Sequence, residues 1–331
     1  MNFDIGDLNP NTPHLFADLA ELVLMVGYNG RNYLHKNDLE GVIDRGVISP
    51  EELDEEADAI FISEAVNETG AERNERRERQ LEDVLTHLAF RSKAMEGFYP
   101  FQVEGEFLKI RENLTSKHRV YKLLLACSRL RSFKESGINQ LWSKAFTSLS
   151  KIAMKGLVPN HAEVRIFDAN SADRKSYYST NLKKALKILG KDLAVRIDEI
   201  ECDKAGTSGD AGLDLVAVVN FDDGARTSYA LLGQCGAQEK NWPQKTLEAH
   251  SIRYKNFFHM IFELPAIMFT PVCYRDSDGE WSDVQSANGI LLVDRIRMLK
   301  LIETQNCWDE IISKQWFIDF ESALSSVVAP N

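Results

Sequence analysis

The polar side chains with the clearest potential for chemistry lie within residues 209–242. Asp214 precedes an apolar, strand-like run, Leu215–Val219, and a second apolar run, Tyr229–Leu232, leads to Gln234. A hairpin between the two runs would place Asp214 and Gln234 side by side, although twenty residues separate them in the sequence. Carboxylate and amide oxygens are ligands that Mg²⁺ accepts, together with waters and a substrate phosphate. The pattern is therefore typical of a metal-dependent phosphodiesterase site.

Each of these residues has a second interpretation that involves no catalysis. Asp214, at the start of a strand, is also typical of a turn residue that forms local hydrogen bonds. Asp210 is either a second metal ligand or a turn former after the preceding Ser-Gly pair. Gln234 either binds metal or satisfies buried backbone groups, and Cys235 is more typical of a buried structural thiol than of a nucleophile. The sequence leaves these alternatives open.

Several familiar catalytic motifs are missing from the sequence. It contains no His-Glu-x-x-His zinc motif and no Gly-x-x-x-x-Gly-Lys-Ser/Thr phosphate loop. His250 and His259 are nine residues apart, which is not a ligand spacing on one helix. The pattern argues against a zinc hydrolase and against ATP hydrolysis by this chain.

The length of the chain and its pattern of elements indicate two domains. The 331 residues exceed the usual size of one domain. Helical periodicity dominates residues 1–155, whereas strands and helices alternate beyond the Gly-Leu-Val-Pro-Asn turn at 156–160. We predict a mainly helical N-terminal domain, 1–155, for recognition or interaction, and a second domain, 156–331, of α/β (α+β) class. The helices predicted in the second domain include 246–262 and 308–327.

Cysteine content and hydropathy indicate a cytoplasmic protein. The five cysteines are scattered, without a Cys-x-x-Cys pair, and their number is odd. Neither a disulfide framework nor a cysteine-built zinc site is therefore expected. The longest apolar runs, such as Leu19–Val26, are too short to span a bilayer, and the acidic N-terminal residues do not resemble a signal peptide. We predict a cytoplasmic location and no membrane partner.

The charge is unevenly distributed along the chain. The net charge of −11 argues against a nucleic-acid partner. Residues 51–70, however, contain eight acids and no base, whereas residues 109–155 contain eleven lysines and arginines and two glutamates. The chain can therefore present a basic face to DNA despite its acidic total, although a solvated helix face explains the basic segment equally well.

The two strand motifs, Gly212–Ala217 and Leu231–Cys235, resemble the core of the restriction-endonuclease-like superfamily, the PD-(D/E)XK nucleases. The similarity lies within residues 160–300, follows the order α-β-β-β-α-β, and is greatest to branches in which glutamine replaces the second acid. It implies a mixed sheet flanked by helices, with the helical N-terminal domain before it. It also implies a hydrolase, an endonuclease dependent on Mg²⁺ (or Mn²⁺), that cleaves DNA. A further implication is an effector role in bacterial antiphage (antiviral) defence, with an ATPase or sensor subunit as protein partner.

The resemblance implies roles for three residues. Asp214 would bind the metal, Gln234 would complete its ligand shell, and Lys240 would act on the attacking water. The family's lysine stands two residues after the second ligand, where this chain has Gly236. Lys240 is the nearest substitute and Lys245 the next.

An upstream helical acid often completes the site in this superfamily. The corresponding helix, Tyr177–Leu189, contains no acid, which leaves Glu163 and Glu201 as alternatives. Gly236 and the acidic total favour a second interpretation of the chain, a catalytically degenerate nuclease-fold adaptor that binds nucleic acid or a partner protein. A third interpretation is a nuclease that stays inactive until its partner supplies a signal.

Overall fold

The computed structural model describes residues 2–5, 8, 12–27, 30–46, 70–237 and 246–327. Lys240, Lys245 and all of the acidic block 51–70 except Gly70 lie outside these ranges. Among the residues described, no helix is both long enough and apolar enough to cross a membrane.

The chain divides into two compact units. The first unit comprises Met1–Gln140, Val272–Ser282 and Ile312–Asn331, and the second comprises Leu141–Pro271 and Asp283–Ile311. The first change of unit falls inside a helix, Ile138–Lys155, and not at the glycine turn that follows it. That turn ends the helix, since the Gly156 N–H donates to the carbonyl of Ala153 at 2.9 Å.

Side-chain caps mark the beginnings of several helices. The helices are α1 (Pro13–Met25), α2 (Lys36–Gly46), α3 (Gly70–Ala94), α4 (Ser116–Ser128), α5 (Ile138–Lys155), α6 (Leu182–Asp192), α7 (Glu199–Lys204), α8 (Arg295–Gln305), α9 (Trp308–Ser313) and α10 (Gln315–Ser325). Thr115, Asn181 and Asp294 accept backbone N–H groups at the starts of α4, α6 and α8. These oxygens satisfy donors that have no partner within the helix.

The strands form small antiparallel sheets and one larger mixed sheet. They are β1 (Asn2–Phe3), β2 (Tyr33–His35), β3 (Phe101–Glu104), β4 (Phe107–Ile110), β5 (Phe133–Lys134), β6 (Glu163–Ile166), β7 (Arg196–Ile197), β8 (Leu215–Val219), β9 (Tyr229–Cys235), β10 (Phe258–His259), β11 (Ala266–Phe269) and β12 (Leu291–Val293). In the first unit β2, β4 and β3 form one sheet and β1 pairs with β5. In the second unit β10 pairs with β7.

The main sheet of the second unit has the strand order β12-β11-β9-β8-β6. Strand β8 runs antiparallel to its neighbours β6 and β9, whereas β9, β11 and β12 run parallel to one another. Helices and a mixed sheet within one unit confirm the predicted α+β class. The register Leu215↔Gly233 and Ile166↔Leu215 aligns the beginning of β8 with the end of β9 and the end of β6.

Both faces of strand β8 are covered, which explains its continuous apolar sequence. All five of its residues are buried. Val216 and Val218 pack in one cluster with Leu186 and Leu189 of α6. On the other face α5 approaches so closely that a Cβ on Gly233 would lie 3.4 Å from the terminal methyl of Met154.

Two of the helices predicted from the sequence are wrong. Residues 246–262 form turns, the 3₁₀ segment Ser251–Tyr254 and strand β10. The ring of His250 accepts the Ile252 N–H at 3.2 Å and starts the short turn instead of a long helix. Residues 308–327 contain two helices, because the backbone of Lys314 is extended, with ψ 141°.

A buried ionic network connects α1, α3 and α4 in the first unit. The Arg91 guanidinium on α3 donates to Asp18 at 2.5 Å and to Glu21 at 2.9 Å, both on α1. Glu21 also accepts the hydroxyls of Tyr99 and Tyr121 at 2.8 and 2.6 Å. Because all five side chains are buried, removing one would leave charges or polar groups without compensation.

The same network fixes the protonation of two histidines. His87 Nδ1 accepts the Arg91 Nε–H at 3.0 Å, so Nε2 carries the proton and donates to the carbonyl of Arg275 at 2.8 Å. Burial and the Arg91 charge lower the pKa of His87 to about 3. Burial lowers the pKa of His14 to about 4. Both rings are therefore neutral in the folded protein near pH 7.

We predict that His87→Gln reduces the loss of stability in acid. His87 stays neutral when folded but gains a proton in the unfolded chain below about pH 6.5, so its contribution is lost at about 1.4 kcal/mol per pH unit below that value. Glutamine keeps a donor and an acceptor but does not titrate. Between pH 7.5 and 5.0, urea unfolding should show the free energy of unfolding falling by about 2 kcal/mol less in the variant than in wild type.

The control is His161→Gln, which replaces an exposed histidine. Its free energy of unfolding should fall between the two pH values as much as that of wild type. An equal fall for His87→Gln would contradict the assignment of a neutral, buried ring.

Candidate metal centre

Three aspartates meet at one end of the main sheet and form what we call the aspartate cluster. One carboxylate oxygen from each of Asp168, Asp210 and Asp214 lies within 4.8 Å of the other two. All three residues are partly buried. Oxygens at this separation suit a single divalent cation.

Asp214 occupies the position just before β8, between β6 and β9. Its N–H donates to the carbonyl of Gly233 at 2.9 Å, and its own carbonyl accepts the Phe167 N–H at 2.6 Å. Its Oδ2 accepts the N–H of Cys235 at 2.7 Å. Leu215↔Gly233 is the last pair of the register, and Asp214 bonds to Gly233 as well, so it lies beside the end of β9 that carries Gln234.

Asp168 follows β6 and was not predicted from the sequence. Its N–H donates to the carbonyl of Asp214 at 3.3 Å, which brings the two residues together. Its Oδ1 accepts the Asn170 N–H at 2.8 Å. The signal in the sequence is weak: Asp168 is the first acid after the predicted strand 162–167, and only the pairing of β6 with β8 brings it to Asp214.

Asp210 fits both interpretations that the sequence left open. Its Oδ1 accepts the Gly212 N–H at 2.9 Å, and its carbonyl accepts the Leu213 N–H at 3.2 Å. These are the bonds of a turn-forming aspartate. It is also a member of the aspartate cluster.

A buried arginine holds the backbone beside two of the aspartates. The Arg174 guanidinium donates to the carbonyls of Phe167 at 2.7 Å, Gly209 at 3.0 Å and Ser179 at 2.8 Å. It also lies 4.5 Å from the centre of the Phe167 ring. Phe167 and Gly209 are the residues immediately before Asp168 and Asp210. Arg174 therefore fixes the two segments that deliver these carboxylates.

Burial and the neighbouring carboxylates disfavour the charged form of Asp214. Its pKa is raised to about 7, chiefly because burial disfavours the charged carboxylate. The negative charges of Asp210, Asp168 and Glu248 raise it as well, whereas the hydrogen bond from the Cys235 N–H opposes the rise. A bound cation would reverse this balance and favour the carboxylate.

Gln234 lies beside the cluster and is only 7% exposed. Its Nε2 donates to Oε2 of Glu248 at 3.0 Å. Its Oε1 is buried and accepts no hydrogen bond from the described part of the chain. Because a buried amide oxygen without a partner costs free energy, this atom is suited to a ligand.

The remaining residues considered from the sequence lie elsewhere. Lys240 and Lys245 are outside the described residues. Gly236 is buried, and its N–H donates to Phe269. Glu163 pairs with Arg165 and Glu201 with Lys204, and neither belongs to the aspartate cluster.

Cys235 has the properties of a structural thiol. Burial and the neighbouring Asp214 raise its pKa, and its sulfur is hydrogen-bonded to Ser150 and Thr147 of α5. A thiol with a raised pKa is a poor nucleophile. The interpretation of Cys235 as a nucleophile is not supported.

We predict that Arg174→Lys lowers the free energy of unfolding by about 2 kcal/mol, because a single ammonium cannot serve all three carbonyls. Urea unfolding measures the difference. The matched control is Lys175→Ala at the exposed neighbouring position, for which the change should stay within about 0.5 kcal/mol. Equal stability of Arg174→Lys and wild type would show that the arginine does not hold the two segments.

We predict that Asp214→Asn stabilises the cation-free protein at pH 8. With a folded pKa of about 7, Asp214 binds a proton that the unfolded chain has already lost, so stability decreases as pH rises from about 4 to 7 and stays low above. Asparagine does not titrate and so avoids this loss of folding free energy, which amounts to about 2 kcal/mol when screening by solvent is included. Thermal unfolding in EDTA should show the full gain at pH 8 and less than half of it at pH 5. A gain of the same size at both pH values would contradict the raised pKa.

We compared the chain with known proteins in three ways. No family model matches it, and neither a curated protein nor a solved structure matches it.

Proposed function

We propose that the second unit binds a divalent cation at the aspartate cluster and hydrolyses phosphodiester bonds of DNA as a metal-dependent endonuclease. The observation that carries the proposal is the convergence of three carboxylate oxygens within 4.8 Å of one another. The buried Oε1 of Gln234, which has no partner among the described residues, supports it independently.

The donor set fits a hard cation such as Mg²⁺ or Mn²⁺. Its members are carboxylate oxygens and one neutral amide oxygen, with no described histidine or cysteine in the cluster. When bound, the cation would acidify water and neutralise charge that develops on the phosphate. Asp214, Asp168 and Asp210 would hold it, and Gln234 would supply the fourth oxygen.

Electrostatics explain why the cation and the phosphate belong together at this site. Burial, and in addition the negative charges of Asp210, Asp168 and Glu248, raise the pKa of Asp214. An anionic phosphodiester would be repelled by the same charges unless a cation offset them. The site therefore favours chemistry in which substrate binding depends on the metal.

The arrangement of the main sheet supports a restriction-endonuclease-like fold as part of the proposal. Strand β8 pairs antiparallel with β6 and β9, and β11 is parallel to β9. Helices α6 and α7 and strand β7 lie between β6 and β8 in the sequence, and turns stand where the second helix was expected. The proposed effector role in antiphage defence and the ATPase or sensor partner belong to the same resemblance.

Lys240 completes the proposed site as the cation that orients the attacking water. Gly236, where the family has its lysine, is buried and offers no side chain. Arg174 does not replace that lysine, because its guanidinium already donates to three backbone carbonyls. These two observations favour the second candidate function, a catalytically degenerate nuclease-fold adaptor.

We predict that the purified protein cleaves plasmid DNA with Mg²⁺ or Mn²⁺ but not in EDTA. Asp214→Asn should lower the cleavage rate by at least about 10²-fold, because the cation loses a charged ligand. Lys240→Ala should also lower it, and Lys245→Ala should not. Gel analysis of nicked and linear plasmid measures the rates.

The matched control is Glu163→Gln, which neutralises an exposed acid that pairs with Arg165. It should cleave at the wild-type rate. Cleavage by Asp214→Asn at the same rate as wild type would refute the assigned site. No cleavage by the wild type with either metal, together with retained DNA binding, would support the adaptor.

A further inference from the structure

We propose that Glu248 is a positioning residue: it orients the Gln234 amide so that its oxygen faces the aspartate cluster as a fourth cation ligand. The proposal rests on the cation site of the proposed function and does not depend on DNA as the substrate. It gives a role to an acid that the sequence did not single out.

The orientation of the amide follows from the chemistry of its partner. A carboxylate only accepts hydrogen bonds, and the Glu248 Oε2 lies 3.0 Å from the Gln234 nitrogen. A flipped amide would place two oxygens next to each other. Glu248 therefore holds the amide nitrogen on its own side and directs Oε1 away from itself.

Two contacts place Gln234 near the aspartate cluster. The N–H of Cys235, the next residue, donates to Asp214 Oδ2 at 2.7 Å. Glu248, which accepts a hydrogen bond from the Gln234 nitrogen, adds to the negative charge around Asp214. No described group donates to Oε1. In the proposed arrangement this oxygen faces the cluster, and a cation would occupy the space between them.

Glu248 is itself held in place by the turn that carries two of the aspartates. Gly212 has φ +81°, and a Cβ at this position would lie 3.0 Å from the Glu248 Cβ and 3.1 Å from its carbonyl oxygen. The backbone of Glu248 therefore packs directly on the residue between Asp210 and Asp214. Its carboxylate nevertheless lies outside the set of oxygens within 4.8 Å of one another. This position fits a residue that supports a ligand without being one.

The pairing also explains why an amide stands at position 234. A carboxylate there would place a second negative charge at the distance of a hydrogen bond from Glu248. The amide instead supplies a neutral oxygen to the cation and a donor to the glutamate. Three carboxylates and one neutral oxygen suit Mg²⁺, Mn²⁺ or Ca²⁺.

The test measures Mn²⁺ binding at pH 7.5 from the electron paramagnetic resonance signal of free Mn²⁺. Glu248→Ala, which keeps the Cβ that packs on Gly212, should bind Mn²⁺ about 10- to 100-fold more weakly than wild type. Glu248→Gln, whose amide can pair with Gln234 in either orientation, should show a smaller loss. The control Glu263→Ala, at an exposed acid paired with Lys255, should leave the affinity unchanged.

An exchange of the two groups distinguishes positioning from direct ligation. In the double variant Gln234→Glu/Glu248→Gln, the carboxylate faces the cluster and the amide at 248 donates to it. Its Mn²⁺ affinity should return to within about threefold of wild type, if the hydrogen bond is what matters. Circular dichroism verifies that each variant is folded.

Each other outcome overturns the proposal in a recognisable way. Affinity of Glu248→Ala within twofold of wild type would show that the glutamate has no role in cation binding. If the double variant bound Mn²⁺ more weakly than this threefold limit, Glu248 would be a direct ligand of the cation. No Mn²⁺ binding by wild type would remove the cation site and with it the proposed function. Normal Mn²⁺ binding without plasmid cleavage would remove only the nuclease.

Discussion

The site depends on the backbone pairing of Asp214 with the strands on both sides of it. Its N–H bonds to Gly233 and its carbonyl accepts Phe167, at 2.9 and 2.6 Å. These two bonds align the end of β6, the start of β8 and the end of β9 in one row. Asp168 and Gln234 are brought to Asp214 by this alignment and not by any contact between their side chains. A shift of register by one residue would move Gln234 to the opposite face of the sheet.

Buried acids are paired with an arginine in the first unit, whereas three partly buried acids lie together in the second. In the first unit, Arg91 offsets Asp18 and Glu21, and tyrosine hydroxyls occupy the remaining acceptor positions. In the second unit, the aspartates lie together, and the Arg174 side chain donates to backbone carbonyls. A paired network of this kind favours one packed arrangement, whereas unpaired carboxylates lower the stability of the cation-free protein. Such a cost is typical of a functional site.

Local patterns in the sequence predicted the elements that carry strong periodicity, but not the contacts between distant elements. The strands predicted at 215–219 and 229–232 both formed and pair with each other, because an apolar run that is bounded by turn residues is a local signal. The burial of Arg91 in α3 was not visible from the sequence, since it depends on Asp18 and Glu21 on another helix. The apolar residues of 246–262 suggested a helix, yet Ile252 and Ile261 are 57% and 73% exposed and define no common face. Asp168 was missed for a related reason: its position matters only once β6 is known to pair with β8.

The path of the chain through the two units has a consequence for biosynthesis. Arg119 of the first unit pairs with Glu321, and His87 donates to the carbonyl of Arg275. Domains are usually completed from the N-terminus while the ribosome is still translating. Here the first unit must wait for residues 312–327, which follow nearly all of the second unit in the sequence. Most of the second unit is therefore synthesised before the last segment of the first unit. Because the segments of the two units alternate along the chain, no single truncation would yield either unit alone.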